Sequence, residues 1–508
     1  MISLLLPLLG AALPAAGDAA PPSSILTIYS SADPAGFDPR QFVDQARAGG
    51  AAAFASQVPG FGVVRESRSL TLEPAAGGAA GRFLARFTDV AQFMDPTTVS
   101  FQDRTAAQTS VLSQSFQFDL VNPESLMQRY LDKPVRVVVS EGAQARSVEG
   151  TLLSATGGQL ILQAKEGVRI IPAADARVEM GELPGGLLTR PTLVWELASP
   201  SGGAHDVSLS YQTAGLTWRA DYNLILNGDD TKATINAWVT LLNLSGAGWK
   251  DAGLKLVAGD VHRVEPPAVL RKAGRPMSGF RGGAVADLGF EEKSFFEYHL
   301  YTLPRRTDIL ENSSQQLVLF PTATEVPVEK LLIVNATPEL GRLGEPISDR
   351  GVGAGEQVKV QVFVRFLNTR DNHMGMPLPA GKVRVSKADD DGSLEFIGED
   401  VISHTPRDEK VTIKVGNAFD VVAERTQVDF KVDTGRREMT EIIKVQVRNR
   451  KEAPAKVVVR EHLYRWIGWE ITAKDHDFNK VNASTIEFPI SLDAGATETI
   501  TYTVRYRW

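Results

Sequence analysis

The chain has 508 residues, 43% of them hydrophobic and 23% charged, and 54 Lys and Arg against 61 Asp and Glu leave a net charge of −7. Those proportions exclude wholesale disorder and a polytopic membrane protein, and the length predicts about three or four domains, each with its own core. The charge is spread without long blocks of one sign, which gives no electrostatic footprint for nucleic acid, and the lack of cysteine excludes disulfides, thiolate metal sites, a cysteine nucleophile and a lipidated cysteine anchor.

Residues 1–19, opening "MISLLLPLLGAALPAAG", read as a signal peptide: a short apolar run ends in small residues suited to signal peptidase, although no Lys or Arg precedes it. The run is too short for a spanning helix, and no later stretch is long and apolar enough for one. The mature chain is therefore expected in a bacterial periplasm or outside the cell, with no stable transmembrane segment.

Residues 20–122 read as an N-terminal β domain with one helix. The helix is expected in "DPRQFVDQARAGGAAAFASQ" (38–57), with Asp38 as N-cap and Pro39 at the first helical position. From "FGVVRESRSLTLEP" onward the period falls to two, with strand-like runs at 61–73, 82–90, 97–103 and 110–120. A short helix in "NPESLMQRYLD" then leads into several short strands separated by EG and GG turns, so 123–185 reads as a small closed barrel of the SH3 or Sm type. With no basic patch or stacking platform, it reads as a spacer.

Residues 186–418 read as a central β domain, with tryptophans 195, 218, 238 and 249 in or beside its strands. They fit sheet packing better than a glycan-stacking surface. Residues 265–290 carry Pro, Gly and Arg without periodicity and read as a long loop, open to proteolysis. Residues 419–508 carry strand-like runs at roughly 12-residue spacing, which predicts an immunoglobulin-like sandwich. The closing "TYTVRYRW" puts Tyr502, Val504, Tyr506 and Trp508 on one face. Such a strand also suits an outer-membrane barrel, but too few strands carry aromatic ends for that architecture. The fold class is mainly β.

Three successive aspartates in "SKADDDGSLEFIGED" (386–400) raise the question of a calcium loop. With Gly392 at the sixth position of an EF-hand loop, Asp389 and Asp391 fall at the third and fifth, but Lys387 falls at the first and Gly398 at the twelfth. Asp-Gly between two strand-like runs predicts a hairpin instead.

No other cofactor or catalytic pattern emerges. The seven histidines, at 205, 262, 299, 373, 404, 462 and 476, stand in no zinc spacing, and "GVGAGE" (351–356) precedes a strand and reads as a turn. No nucleophile elbow or phosphate-binding loop is present, and the 61 acids single out no pair for glycoside hydrolysis. The aromatics in "EHLYRWIGWEI" (461–471) are the binding candidates: Tyr464, Trp466 and Trp469 surround Gly468 in a hairpin, either exposed to stack on sugar or anchor a partner, or packed to close a sandwich.

Several motifs, in order, are similar to a known family: "YQTAGLTWRADYNLIL", "LLNLSGAGWKDAGLKLVAGDVHRV", "FEYHLYTLP" and "MGMPLPAGKVRVSKADDDGSLEFIGEDVISHTPRDEKVTIKVGNAFDVVAER". Over about 190–508 the chain resembles the bacterial domain of unknown function 4139. Mucoidy-inhibitor-like relatives in that family carry a coiled coil before the shared region, where this chain has no heptads and the small barrel instead. The resemblance implies an exported β-rich protein and brings no catalytic residues. The expected function is a non-enzymatic envelope protein that binds a protein or polysaccharide; the alternative is a hydrolase acting on envelope glycan or peptide.

Overall fold

The computed structural model describes residues 23–30, 38–49, 54–75, 80–117, 121–141, 144–182, 188–259, 261, 290–295, 298–337, 344–352, 355–389 and 391–508. The signal-peptide segment, most of the 265–290 loop, His262, Asp390 and the middle of "GVGAGE" lie outside them. The protein is mainly β, with two α-helices among the described residues.

The first helix, Pro39–Gly49, begins as expected: the Asp38 carboxylate accepts from the Arg40 amide at 3.0 Å. It is shorter than the 38–57 expectation. Among the described residues it runs to Gly49, and Ala55–Gln57 forms a separate 3-10 turn. Asn122 caps the second helix, Pro123–Arg129, by accepting from the Ser125 amide at 2.8 Å.

An eleven-stranded sheet draws on both sides of the 123–185 segment. Ser23–Tyr29 pairs in parallel with Trp249–Ala258 and antiparallel with Phe61–Pro74, while Thr192–Ala198 sits between Arg82–Thr88 and Ser110–Gln117. Segments 20–122 and 186–418 are thus hydrogen-bonded into one sheet. Against it packs a five-stranded sheet ordered Ser313–Pro327, Lys232–Asn243, Leu216–Leu226, Gly381–Ala388 and Leu394–Ile402. One apolar cluster joins the two sheets, including Leu26, Trp195, Trp218, Val239, Leu319 and Val385. Trp195, Trp218 and Trp249 are buried, as sheet packing predicts, whereas Trp238 is half-buried.

The 123–185 segment forms its own antiparallel sheet around Val137, Leu152, Leu160 and Leu162. Its order is Ala176–Glu179, Pro134–Glu141, Gln144–Thr156, Gln159–Ala164 and Gly167–Pro172. The closed barrel expected from sequence is not formed. The two outer strands are consecutive in the chain, joined through the 3-10 turn Ala173–Asp175, and do not pair with each other.

The C-terminal region is a single nine-stranded sheet, and it recruits Glu329–Asn335 and Gly355–Leu367 from well before residue 419. It curls over itself: Phe488, near one edge, stacks on Tyr502, near the other, with ring centroids 5.5 Å apart. The 24-residue strand Lys410–Asp433 makes the curl possible. Its first half pairs with Gly355–Leu367, its second half with Glu438–Asn449, and bulges interrupt both ladders. A sandwich of two separate sheets is therefore replaced by one bent sheet around a shared core. The aromatic face of the final strand, Thr497–Arg507, points into that core, with Tyr502, Val504 and Tyr506 at most 1% exposed. That placement is the reverse of the lipid-facing aromatics an outer-membrane strand carries. No helix among the described residues is long and apolar enough to cross a membrane.

The acidic stretch is a hairpin tip. Gly381–Ala388 pairs antiparallel with Leu394–Ile402, the Gly392 amide donates to the Asp389 carbonyl at 3.0 Å, and Gly392 adopts a positive φ of 84°. The Asp391 carboxylate turns inward locally, accepting from the Ser393 amide at 2.8 Å.

Candidate functional site

The strand Ala455–His462 alternates inward and outward, and the inward phase continues beyond it: Val457, Val459, Glu461, Leu463 and Arg465 are all buried. Two of those positions carry charge. Glu441 and Arg425 stand likewise in the apolar phase of their own strands, beside Met439 and Ile443, and beside Val421 and Ala423. An isolated charge buried this way is costly unless paired, and each has a partner.

The Arg425 guanidinium donates through Nε to both Glu461 oxygens at 3.2 Å. Burial pushes the Glu461 carboxyl above its ordinary value, against the opposing pull of Arg425. Arg465, fully buried, does more. It donates to the carbonyls of Ile347 at 3.0 Å, Asp349 at 2.8 Å and Val352 at 2.8 Å, and to Glu441 Oε1 at 3.1 Å. Its guanidinium also lies 4.0 Å from the centre of the Phe430 ring. The segment 344–352 is thereby strapped across the end of the sheet.

Of the three aromatics singled out from sequence, Tyr464 belongs to this buried base. It is 6% exposed, and its hydroxyl donates to the Val352 carbonyl at 2.9 Å and reaches Glu441 Oε1 at 3.2 Å. Burial, reinforced by the Glu441 charge, pushes that hydroxyl up to about 12. Trp466 and Trp469 are half-buried against the sheet core. Trp469 is fixed through Nε1, which donates to the Ala483 carbonyl at 2.7 Å, and the Lys480 ammonium sits 4.7 Å from its ring centre.

Between the two tryptophans Ile467 is 80% exposed. The next residue must be glycine, because a Cβ at Gly468 would lie 2.7 Å from the Arg507 carbonyl oxygen, which accepts no side chain there. The Arg507 amide in turn donates to the Gly468 carbonyl at 2.8 Å. The arrangement is an apolar projection held at both ends: Arg465 roots one side in the core, and Gly468 seats the other against the last strand. Sequence reading found the rings but missed Arg425, Glu441, Glu461, Arg465 and Ile467. The signal for the four charges was their phase within apolar strands.

The remaining sequence candidates are scattered. His462 Nδ1 is 3.0 Å from Thr485 Oγ1, whereas His476 contacts Asp475 at 2.7 Å and Glu498 at 3.3 Å. His299 pairs with Glu292 at 2.7 Å, and His404 Nδ1 accepts from the Ala380 amide at 3.0 Å. These contacts place each ring in a separate local network.

A cleft of about 860 Å³ opens between the N-terminal strands and the 246–251 and 306–311 segments. Three of its cations are matched locally: Arg190 with Asp89, Arg306 with Asp251, and Arg68 with the buried Glu66 beneath it at 2.6 Å. Glu66 also accepts from Trp249 Nε1 at 2.7 Å, and burial raises its carboxyl above the ordinary value despite Arg68. Charges so paired hold the walls together.

Compared with known proteins, the chain matches the family model of a domain of unknown function, DUF4139, over residues 207–508. No curated protein matches it. The matched span takes in the end of the first sheet core, the five-stranded sheet and the whole nine-stranded sheet with its aromatic projection. It covers more than half of the chain, and the protein belongs to the DUF4139 family.

Proposed function

We propose that the protein is an exported component of the bacterial cell envelope that holds a protein or polysaccharide partner at the Trp466–Trp469 projection. One observation carries this reading: Ile467 stands 80% exposed between two half-buried tryptophans, on a base pinned by Arg465. An apolar side chain flanked by aromatics and held rigid has the character of a binding hot spot, since little ordering remains to oppose association. The apolar run and the small residues after it in the first 19 positions favour export.

The test is capture by the signal-free chain from periplasmic extract and on purified envelope polysaccharides, with Ile467→Asp and Trp469→Ala as variants. Tyr464 is left intact because it is buried and its hydroxyl contacts the Val352 carbonyl and Glu441, so its removal would disturb the core as well as the projection. Capture abolished by Ile467→Asp, at an unchanged melting temperature, is the expected result. Capture equal in wild type and both variants would remove the projection as the binding site.

A further inference from the structure

Upstream of the family-matched span, three side chains are brought into line by two paired strands and a connection. Asp103 ends the strand Met94–Asp103 and stands opposite Val207 of the strand Gly203–Thr213, which also carries His205. Ser201 lies in the connection leading into that strand. His205 Nδ1 is 2.7 Å from Asp103 Oδ2, and both side chains are 1% exposed. On the other side of the ring, Nε2 is 3.5 Å from Ser201 Oγ, and Ser201 is exposed.

Asp103 is held as an acceptor on both oxygens. Oδ1 takes the amides of Thr105 at 2.8 Å and Ala106 at 3.0 Å, and Oδ2 also takes the Thr109 hydroxyl at 2.7 Å. Burial works against its ionisation, but these bonds together keep its carboxyl below the ordinary value. A carboxylate at Nδ1 selects the tautomer that carries its proton there and leaves the Nε2 lone pair facing Ser201. The turn contacts of Asp103 account for its own burial. They do not require an imidazole behind it or a solvent-facing hydroxyl beyond that.

We propose that Ser201 is a nucleophile activated by His205 and positioned by Asp103, and that the site accepts the acyl group of a carboxylic ester. Ser201 Oγ bonds to the ester carbonyl carbon as its proton passes to His205 Nε2, and the imidazolium is stabilised by Asp103. The carbon–oxygen bond to the alcohol then breaks, and His205 returns the proton to the departing oxygen. Water, deprotonated by His205, releases the carboxylic acid and restores Ser201, so ester and water give acid and alcohol. None of the three residues lines the 860 Å³ cleft. The exposed hydroxyl suits an ester carried on the surface of a large substrate rather than a small molecule enclosed in a pocket. The separation of 3.5 Å is one that a rotation of the serine hydroxymethyl shortens, as catalytic contacts commonly tighten when substrate binds.

The experiment is labelling of the full chain with a fluorophosphonate probe, mapped by mass spectrometry, beside hydrolysis of p-nitrophenyl acetate. In wild type, Ser201 should react about 100-fold or more faster than other exposed serines such as Ser113 and Ser484. Ser201→Ala should remove both that label and ester hydrolysis. Asp103→Asn, with its melting temperature measured alongside, should slow Ser201 labelling by about 100-fold or more, because the imidazole then presents the wrong tautomer. A fall in the labelling rate at an unchanged melting temperature is an effect that a purely structural aspartate would not produce. Labelling of Ser201 in wild type at the rate of Ser113 and Ser484 would overturn the proposal whatever the variants do. Binding at Trp466–Trp469 is unaffected by either result.

Discussion

Two sets of charges in this molecule have opposite fates. Asp389 and Asp391 belong to the densest acidic cluster of the chain, yet they occupy the solvent-facing tip of a hairpin. Arg425, Glu441, Glu461 and Arg465 are dispersed singly through 41 residues of sequence, yet they meet in the core of the nine-stranded sheet. Crowding along the chain is therefore a poor guide to structural weight. Phase is a better one: a charge that replaces an inward-facing residue of a buried strand has to find a partner, whereas adjacent acids in a turn are solvated individually.

The contrast can be broken most sharply at Glu461. Glu461→Ala leaves the Arg425 guanidinium buried without its carboxylate and should destabilise the protein by about 3–5 kcal/mol, read as a fall in the denaturation midpoint. Arg425→Met combined with Glu461→Leu should recover most of that loss, since a matched apolar pair avoids desolvating either charge. A double variant as unstable as the single one would mean that the pair has a role beyond neutralising itself. Next in size, Gly468→Ala forces a Cβ against a backbone oxygen and should cost about 1–3 kcal/mol in chemical denaturation.

Smaller effects distinguish a buried acid from a half-buried one by the sign of their pH dependence. Glu66 has its carboxyl raised by burial above 4.5, so its contribution is full below that value and is lost as pH rises through the folded value. Asp230 behaves oppositely. Burial opposes its charge, but hydrogen bonds from Lys330 and Lys387 lower it below 3.8, so its contribution is present above 3.8 and lost as pH falls through the folded value. The gap in melting temperature between wild type and Glu66→Gln should therefore narrow toward alkaline pH, and that for Asp230→Asn should narrow toward acid. Parallel trends would contradict the environments assigned to the two groups. Smallest of all, changing Asp389, Asp390 and Asp391 together to Asn should leave the melting midpoint within the scatter of repeat scans, with or without calcium. A calcium-dependent rise in wild type, absent from that variant, would reinstate a metal loop.

The strands were legible because alternation is local: Val457, Val459 and Leu463 announce an inward face without knowledge of what they meet. Pairing across distance was not. Nothing in "SSILTIY" signals that it lies parallel to "WKDAGLKLVA" more than 200 residues later, and the boundaries drawn around 123–185 pass over the sheet that spans that segment. Closure of the small sheet failed for a similar reason. Strand number and turn spacing do not encode whether the two outer strands reach each other. At the candidate site, ring type was visible but burial was not: Tyr464 and Trp469 look alike in sequence, and the Val352 carbonyl and Glu441 draw only the first into the core.

The claim that matters most is that the Trp466–Trp469 projection is the surface the protein uses. Hydroxyl-radical footprinting of the signal-free chain, alone and with periplasmic extract or purified envelope polysaccharide, tests it on the intact fold. Phe419, 93% exposed and in the strand Lys410–Asp433, serves as an internal reference. Protection of Trp466, Ile467 and Trp469 with Phe419 unchanged is the expected result. Unaltered oxidation of all three in a sample that has bound its partner would contradict the account.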